Sequence, residues 1–382
     1  MSAQVDLITA NGALGEIAGK LAAEGRLDIG RMRPFVEQDG QTYVSVYVGG
    51  DPKKEDSYRV IQLNQAGTLR RDEWKQLDEA VLKVAESRLG GFQDVIDAGL
   101  VYNLGNAMGT TVLEYHDISD TDLEADITMD GITRAQGARP QFTTHYLPIP
   151  IVHADYEINA RVLAASRNMG NPLDTTMAER AARKVQEKLE LMLFGDQKYS
   201  YGGGTIYSYI NFPHANTEDE VADIIGSSEA TTVLKPWNEV SNETAIIKQV
   251  IAMKQASLND KFFGPWNLYI PSAYETILDE DYKVSGGKVI TIRDRLMAIS
   301  GIRNIKVIDL MPADMVLLVQ MTSDVVRIVR GMGLQNVEWS TEGNMVTKYK
   351  VMTIQVPQIR ADQATALDTK GKCGIVRVNL GS

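Results

Sequence analysis

The sequence predicts an α+β fold, and three stretches carry that prediction. Residues 173–195 have the spacing of a long amphipathic helix. Residues 41–63 hold two period-two strands joined by a polar loop, and residues 305–356 read as a succession of strands. Helices interspersed with mostly antiparallel strands, without a regular strand–helix repeat, place the chain in this class.

The helix organises the rest. Thr176 and Glu179 have the spacing of a capping box, which fixes the start. Ala178, Ala181, Ala182, Val185, Leu189, Met192 and Leu193 form an apolar stripe, and Arg180, Arg183, Lys184, Glu187 and Lys188 fill the other side. Gly195 is expected to end the helix in the left-handed cap conformation. The rod is about 28 Å long. Its small-residue first half allows close packing.

The remaining elements follow in chain order. Residues 1–33 form a weakly amphipathic arm interrupted by Gly12, Gly15, Gly19 and Gly25, a poor free helix. A β-hairpin follows at 41–48 and 58–63, with DPKKEDS as its loop. Residues 68–89 show helical spacing through Leu69, Trp74, Leu77, Val81 and Leu89, and Gly90-Gly91 is expected to end that helix. A strand at 110–115 opens a charged excursion. Glu114, Asp117, Asp120, Asp122, Glu124, Asp126 and Asp130 occur there without a Lys or Arg among them. Asp130-Gly131 reads as a hairpin tip, and the return limb carries Arg134 and Arg139. A loop of this length with so little apolar material has a function of its own. Helices at 241–258 and 293–300, a strand at 266–270 and a last strand at 373–378 complete the chain.

Composition excludes several functions. The 382 residues are 44% apolar, enough for a sizeable core. Lys+Arg 39 against Asp+Glu 50 leaves a net charge of −11, which disfavours sequence-independent gripping of nucleic-acid phosphates. The single cysteine, Cys373, excludes an intramolecular disulfide framework and fits a reducing compartment. No apolar run reaches membrane-spanning length, and residues 1–10 lack the features of a signal peptide, so a soluble chain made inside the cell is expected.

No catalytic constellation emerges. The four histidines His116, His145, His153 and His214 lack zinc spacing, and Cys373 has no histidine near it in sequence. The triple glycine at 202–204 is not followed by the Gly-Lys-Ser/Thr of a phosphate loop. The acidic run lacks the spacing of a calcium loop. No enzyme activity, cofactor or metal is expected.

Five segments in order carry a resemblance: LRRDEWKQLDEAVLKVAESRLGG, YLPIPIVHADYEINARVLAASR, PLDTTMAERAARKVQEKLELMLFG, IYSYINFP and GPWNLYIPSAYETIL. Together they resemble the major capsid proteins of tailed phages of the Hong Kong 97 type, in the branch shared with encapsulins, over residues 68–378. The resemblance implies an N-terminal arm with a hairpin at 1–66, and an N-terminal helix with its linker at 67–109. It also implies an E-loop at 110–150, a P-domain at 151–214 and 340–382 built on the spine helix, and an A-domain at 215–339.

The resemblance further implies self-assembly into pentamers and hexamers of an icosahedral head enclosing DNA, which is contacted weakly and without sequence specificity. Portal, scaffolding and decoration proteins are implied partners, a membrane is not, and the location is a virion assembled in the bacterial cytoplasm. The alternative is an encapsulin-like compartment around cargo enzymes. The expected intersubunit contacts join Asp120, Asp122, Glu124, Asp126, Arg134 and Arg139 of the E-loop to Arg180, Arg183, Lys184 and Lys188 of a neighbour's spine helix. Some relatives join an E-loop lysine covalently to an asparagine of a neighbour. Here residues 114–150 contain no lysine, so no such bond is expected.

Overall fold

A computed structural model describes residues 35–36, 42–47, 58–63, 90–106, 108–118, 127, 129, 142–159, 161, 176–226, 229–230, 233–240, 243–283, 289–341, 346–362 and 372–381. The arm at 1–33, the helix at 68–89 and the hairpin tip at Asp130-Gly131 lie outside them.

The described elements begin with β1 (Phe35–Val36), β2 (Thr42–Tyr47) and β3 (Tyr58–Leu63), then α1 (Gly90–Asp97) and β4 (Val101–Asn103). Strands β5 (Val112–Ile118), β6 (Phe142–Pro148) and β7 (Val152–Asn159) lead to the long helix α2 (Thr176–Phe194). After it come β8 (Tyr199–Tyr201), β9 (Gly204–Ile206), α3 (Glu218–Ile225), α4 (Glu243–Asn259) and β10 (Trp266–Pro271). The last part contains β11 (Asp281–Lys283), β12 (Val289–Thr291), α5 (Ile292–Met297), β13 (Ile302–Ile308), β14 (Met315–Gln320), β15 (Val326–Thr341), β16 (Val346–Ile359) and β17 (Ile375–Asn379).

Two compact units result. The first comprises Met1–Arg88, His153–Val185 and Leu334–Thr353. Its hairpin is the expected one: β2 and β3 pair antiparallel from Thr42↔Leu63 to Tyr47↔Tyr58, with β1 added at Phe35↔Tyr43. Elsewhere in this unit β16 lies between β15 and β7. Tyr156 stacks on Tyr349 at 5.0 Å, and Asn336 Nδ2 donates to the Tyr156 hydroxyl at 2.8 Å. Ala178, Ala181, Ala182 and Val185 of α2 are buried, as the stripe predicts.

The second unit comprises Leu89–Val152, Gln186–Gly333 and Ile354–Ser382. Its centre is the sheet β13-β10-β14-β17. Strand β10 is buried at all six positions, because both faces of the sheet are covered. The period-two rule divides the side chains between two cores. Tyr269, Leu317, Val319 and Ile375 join Phe92, Val95, Leu189, Leu193 and Phe194 on one face. Leu268, Ile270, Val316, Leu318, Val376 and Val378 join α4 and α5 on the other. Trp237 is held over the second core by a 2.6 Å bond from its Nε1 to Gln249 Oε1, and it stacks on Tyr274.

Two expectations are corrected. Gly90-Gly91 does not end a helix but begins α1. A Cβ on Gly91 would lie 2.1 Å from Phe194 Cε2, so the glycine serves close packing. Gly195 does not take a left-handed φ. A Cβ there would meet the Leu191 carbonyl oxygen at 2.5 Å, and the Gly195 N–H donates to that oxygen at 2.8 Å. The described ladders are mostly antiparallel, as expected, and two are parallel: β10 with β13, and β4 with β15. The connection through residues 272–301, which contains α5, supplies the crossover that a parallel pair needs.

Candidate functional site

The charged excursion rests on a two-stranded ribbon. β5 and β6 pair antiparallel without interruption from Val112↔Pro148 to Ile118↔Phe142. The limbs are joined by β-branched and aromatic residues: Tyr115 stacks on His145 at 5.4 Å, and the Thr144 hydroxyl lies 3.1 Å from His116 Nδ1. At the base Leu147 and Ile149 are buried, and the Ile149 N–H donates to the Thr111 carbonyl at 2.9 Å. The ribbon is thus rooted among buried side chains at its base.

A second hairpin braces this root. β8 and β9 turn through Gly202 and Gly203, at φ 58° and 80°. These are left-handed values that glycine adopts without strain. The triple glycine is therefore a turn, consistent with the rejected phosphate loop. Its third member, Gly204, packs so tightly that a Cβ would lie 2.0 Å from the Tyr146 carbonyl oxygen. Only glycine fits.

Of the expected contact residues, the structure places the helical set. Arg180, Arg183, Lys184 and Lys188 are all exposed along α2, and Lys188 donates to Gln197. Asp120, Asp122, Glu124, Asp126, Arg134 and Arg139 lie outside the described residues, so no pairing between the two sets is placed.

Two polar residues on the helix's inner side escaped the sequence reading. Gln186 and Glu190 are buried. The spacing Ala182, Gln186, Glu190 was the available signal, since it puts both on the apolar stripe. The Glu190 carboxylate accepts from the N–H groups of Gly91 at 3.0 Å and Phe92 at 3.3 Å, satisfying donors that the first turn of α1 leaves open. Burial pushes its pKa up, the two N–H bonds oppose this, and nearby Asp94 adds to the rise. Asp94, also buried, pairs with Lys306 Nζ at 2.6 Å. Its pKa is raised by burial, against the pull of Lys306. This is a structural node joining α2, α1 and β13. Among the described residues no group of three or more His, Cys, Asp or Glu is placed to hold a metal ion, and no helix is long and apolar enough to cross a membrane.

Residues 64–365 match a family described as a family of unknown function, DUF6260. The chain belongs to that family. Among solved structures it is similar to the virus-like particle from Pyrococcus furiosus, with 16% identity, a TM-score of 0.54, and coverage of 80% of this chain and 98% of that one. It is also similar to the capsid of Myoviridae phage XM1, with 9% identity, a TM-score of 0.52, and coverage of 74% and 90%. A curated relative, the type 1 encapsulin shell protein EncA of Myxococcus xanthus (strain DK1622), is 30% identical over 140 residues, 35% of this chain and 45% of the relative. The chain thus spans less than half the length of that relative. The fold is the Hong Kong 97-type fold of capsid and encapsulin-shell proteins, as the resemblance implied.

Proposed function

We propose that this chain is a structural shell protein, not an enzyme, and that many copies assemble into a closed icosahedral particle. The observation that carries this reading is the shared fold over 98% of the Pyrococcus furiosus virus-like particle chain. In the finer reading the copies form the pentamers and hexamers of a tailed-phage head around DNA. The arm and hairpin of residues 1–66 support it, since they add to what encapsulins carry. The net charge of −11 fits a wall along which packaged DNA slides. A second reading, an encapsulin shell around cargo enzymes, is favoured by the identity with EncA. Negative-stain microscopy of the purified protein tests the shell, with particles of tens of nanometres expected. Extraction of DNA, or of a second protein, from those particles separates the two readings. A monomer at all concentrations would overturn both.

Within such a shell residues 110–150 act as the E-loop, residues 151–214 and 340–382 as the P-domain, and residues 215–339 as the A-domain. The ribbon β5–β6 projects the acidic run toward a neighbouring copy, where Arg180, Arg183, Lys184 and Lys188 supply counter-charge. Exposed pairs contribute about 0–1 kcal/mol each, so the effect depends on repetition around the assembly. Replacing Asp120, Asp122, Glu124 and Asp126 by Asn or Gln should lower particle yield, most at low salt. Unchanged yield across ionic strength would remove the pairing.

A further inference from the structure

Three buried oxygens around Tyr269 have no hydrogen-bond partner: Asp94 Oδ2 on α1, Asn267 Oδ1 on β10 and the Tyr209 hydroxyl. Asp94 is 8% exposed, Asn267 5% and Tyr209 0%. They share one neighbourhood. Asn267 Nδ2 donates to the Tyr269 hydroxyl at 3.3 Å, and Tyr209 stacks on the Tyr269 ring with centres 6.3 Å apart. Burial raises the Asp94 pKa; Lys306 and then the Tyr269 hydroxyl, both close to it, pull it down, and Asp97 adds to the rise. Orphaned polar atoms at this depth are unfavourable unless something pairs with them. The other carboxylate oxygens of the node are already engaged. Asp94 Oδ1 pairs with Lys306 Nζ, and the Glu190 oxygens accept from Gly91 and Phe92. Among the described residues Lys306 is the basic side chain that acts on both acids, so ionised Asp94 and Glu190 leave one negative charge over.

We propose that Asp94 Oδ2, Asn267 Oδ1 and the Tyr209 oxygen form a binding site for a monovalent alkali cation. The donor set decides the class. All three are hard oxygens, unlike the His and Cys ligands that softer metals prefer. One of them is a carboxylate oxygen, too few for calcium, whose sites use several. A single positive charge also closes the balance of the node, two acids against Lys306 and the ion. Tyr209 stays a neutral hydroxyl, because burial first, then Tyr269, Asp94, Glu190 and Cys373, raise its pKa. The Lys306 side chain, 36% exposed, brings one side of the node to solvent and gives a small ion its route of entry. Two other occupants would satisfy the same oxygens: a water, or a proton on Asp94 donated to Asn267 Oδ1. Neither depends on which salt is present. Every ligand comes from one chain, so the site stands apart from the shell reading.

The test melts the full-length protein in sodium, potassium or choline chloride, each at about 200 mM so that ionic strength is equal, at about pH 8 and about pH 5. Sodium or potassium should raise the midpoint over choline by about 2 °C or more at the higher pH, and the gain should saturate, since the ion binds the folded state alone. The gain should shrink at the lower pH, where protons on Asp94 and Glu190 remove the charge that the ion balances. Asn267→Leu and Tyr209→Phe each delete one ligand oxygen and should lose the gain over choline. Tyr209→Phe keeps the ring and serves if Asn267→Leu fails to fold. As a direct readout, the sodium NMR signal should be broadened by the wild type, less so by Tyr209→Phe, and sharpened again by added potassium. Equal midpoints in the three salts at both pH values would overturn the site and leave a water or a proton as occupant. A gain over choline that survives both substitutions would overturn it as well, since the ion would then bind elsewhere.

Discussion

Glu190 shows how much one buried acid contributes to the position of an element. Its two oxygens hold the start of α1 through Gly91 and Phe92, while Asp94 and Lys306 face it across the same node. Because burial raises its pKa, folding favours the protonated acid. That contribution to stability is complete below the ordinary glutamate range and is lost as pH rises through the raised value. Asp94 shifts in the same direction and adds to the slope. Glu190→Gln keeps an oxygen for the two N–H groups and removes the charge. Thermal melts from about pH 5 to about pH 8 should show the wild type losing more stability than the variant, which gains about 2 °C or more at the upper end. A variant that melts below the wild type at the upper end would mean that the N–H bonds to the ionised carboxylate outweigh its desolvation.

At the scale of elements, the root of the ribbon depends on the fit between β9 and β6. Gly204 sets that fit, with backbone atoms as its neighbours: the Tyr146 carbonyl oxygen at 2.0 Å and carbonyl carbon at 2.6 Å from a modest Cβ. Backbone cannot rotate away as a side chain does. Gly204→Ala should therefore cost about 1–3 kcal/mol in chemical denaturation, and it should open residues 142–148 to faster hydrogen exchange. Gly203, at φ 80° with open space around it, is the control. Gly203→Asn should cost little, since asparagine visits the left-handed region. Equal costs for the two would show that the turn, not the close approach, is what the third glycine protects.

For the whole molecule, cohesion between copies has to be non-covalent if the excursion takes the place of an E-loop. A self-made isopeptide needs a lysine amine, with a carboxylate beside it to move protons. Residues 114–150 contain none, and Arg134 and Arg139 stay protonated. Lys53 and Lys54 belong to the loop of the N-terminal hairpin. Boiled in detergent, purified particles should run as one band near 42.1 kDa. A ladder of larger species that survives reducing agent would contradict this.

What the sequence determined by itself is the one-dimensional part of the fold. The stripe of α2, the hairpin β2–β3 and the limbs of the ribbon are legible because burial on one face repeats at the period of the element, and the period is written in neighbouring residues. The resemblance followed from the order of such pieces. What only the tertiary structure decided is who meets whom at long range. Gly91 is a glycine because Phe194 arrives beside it, and Gly195 because its own Cα faces the Leu191 carbonyl. The parallel ladder of β10 with β13 depends on the route taken by residues 272–301. Arg327 meets Tyr102 and Gln358 only because β4 and β16 are both brought to β15 in the sheet order. Periodicity encodes which face is buried. The partner on that face is chosen by strand order and crossover, and neither leaves a local signature in the chain.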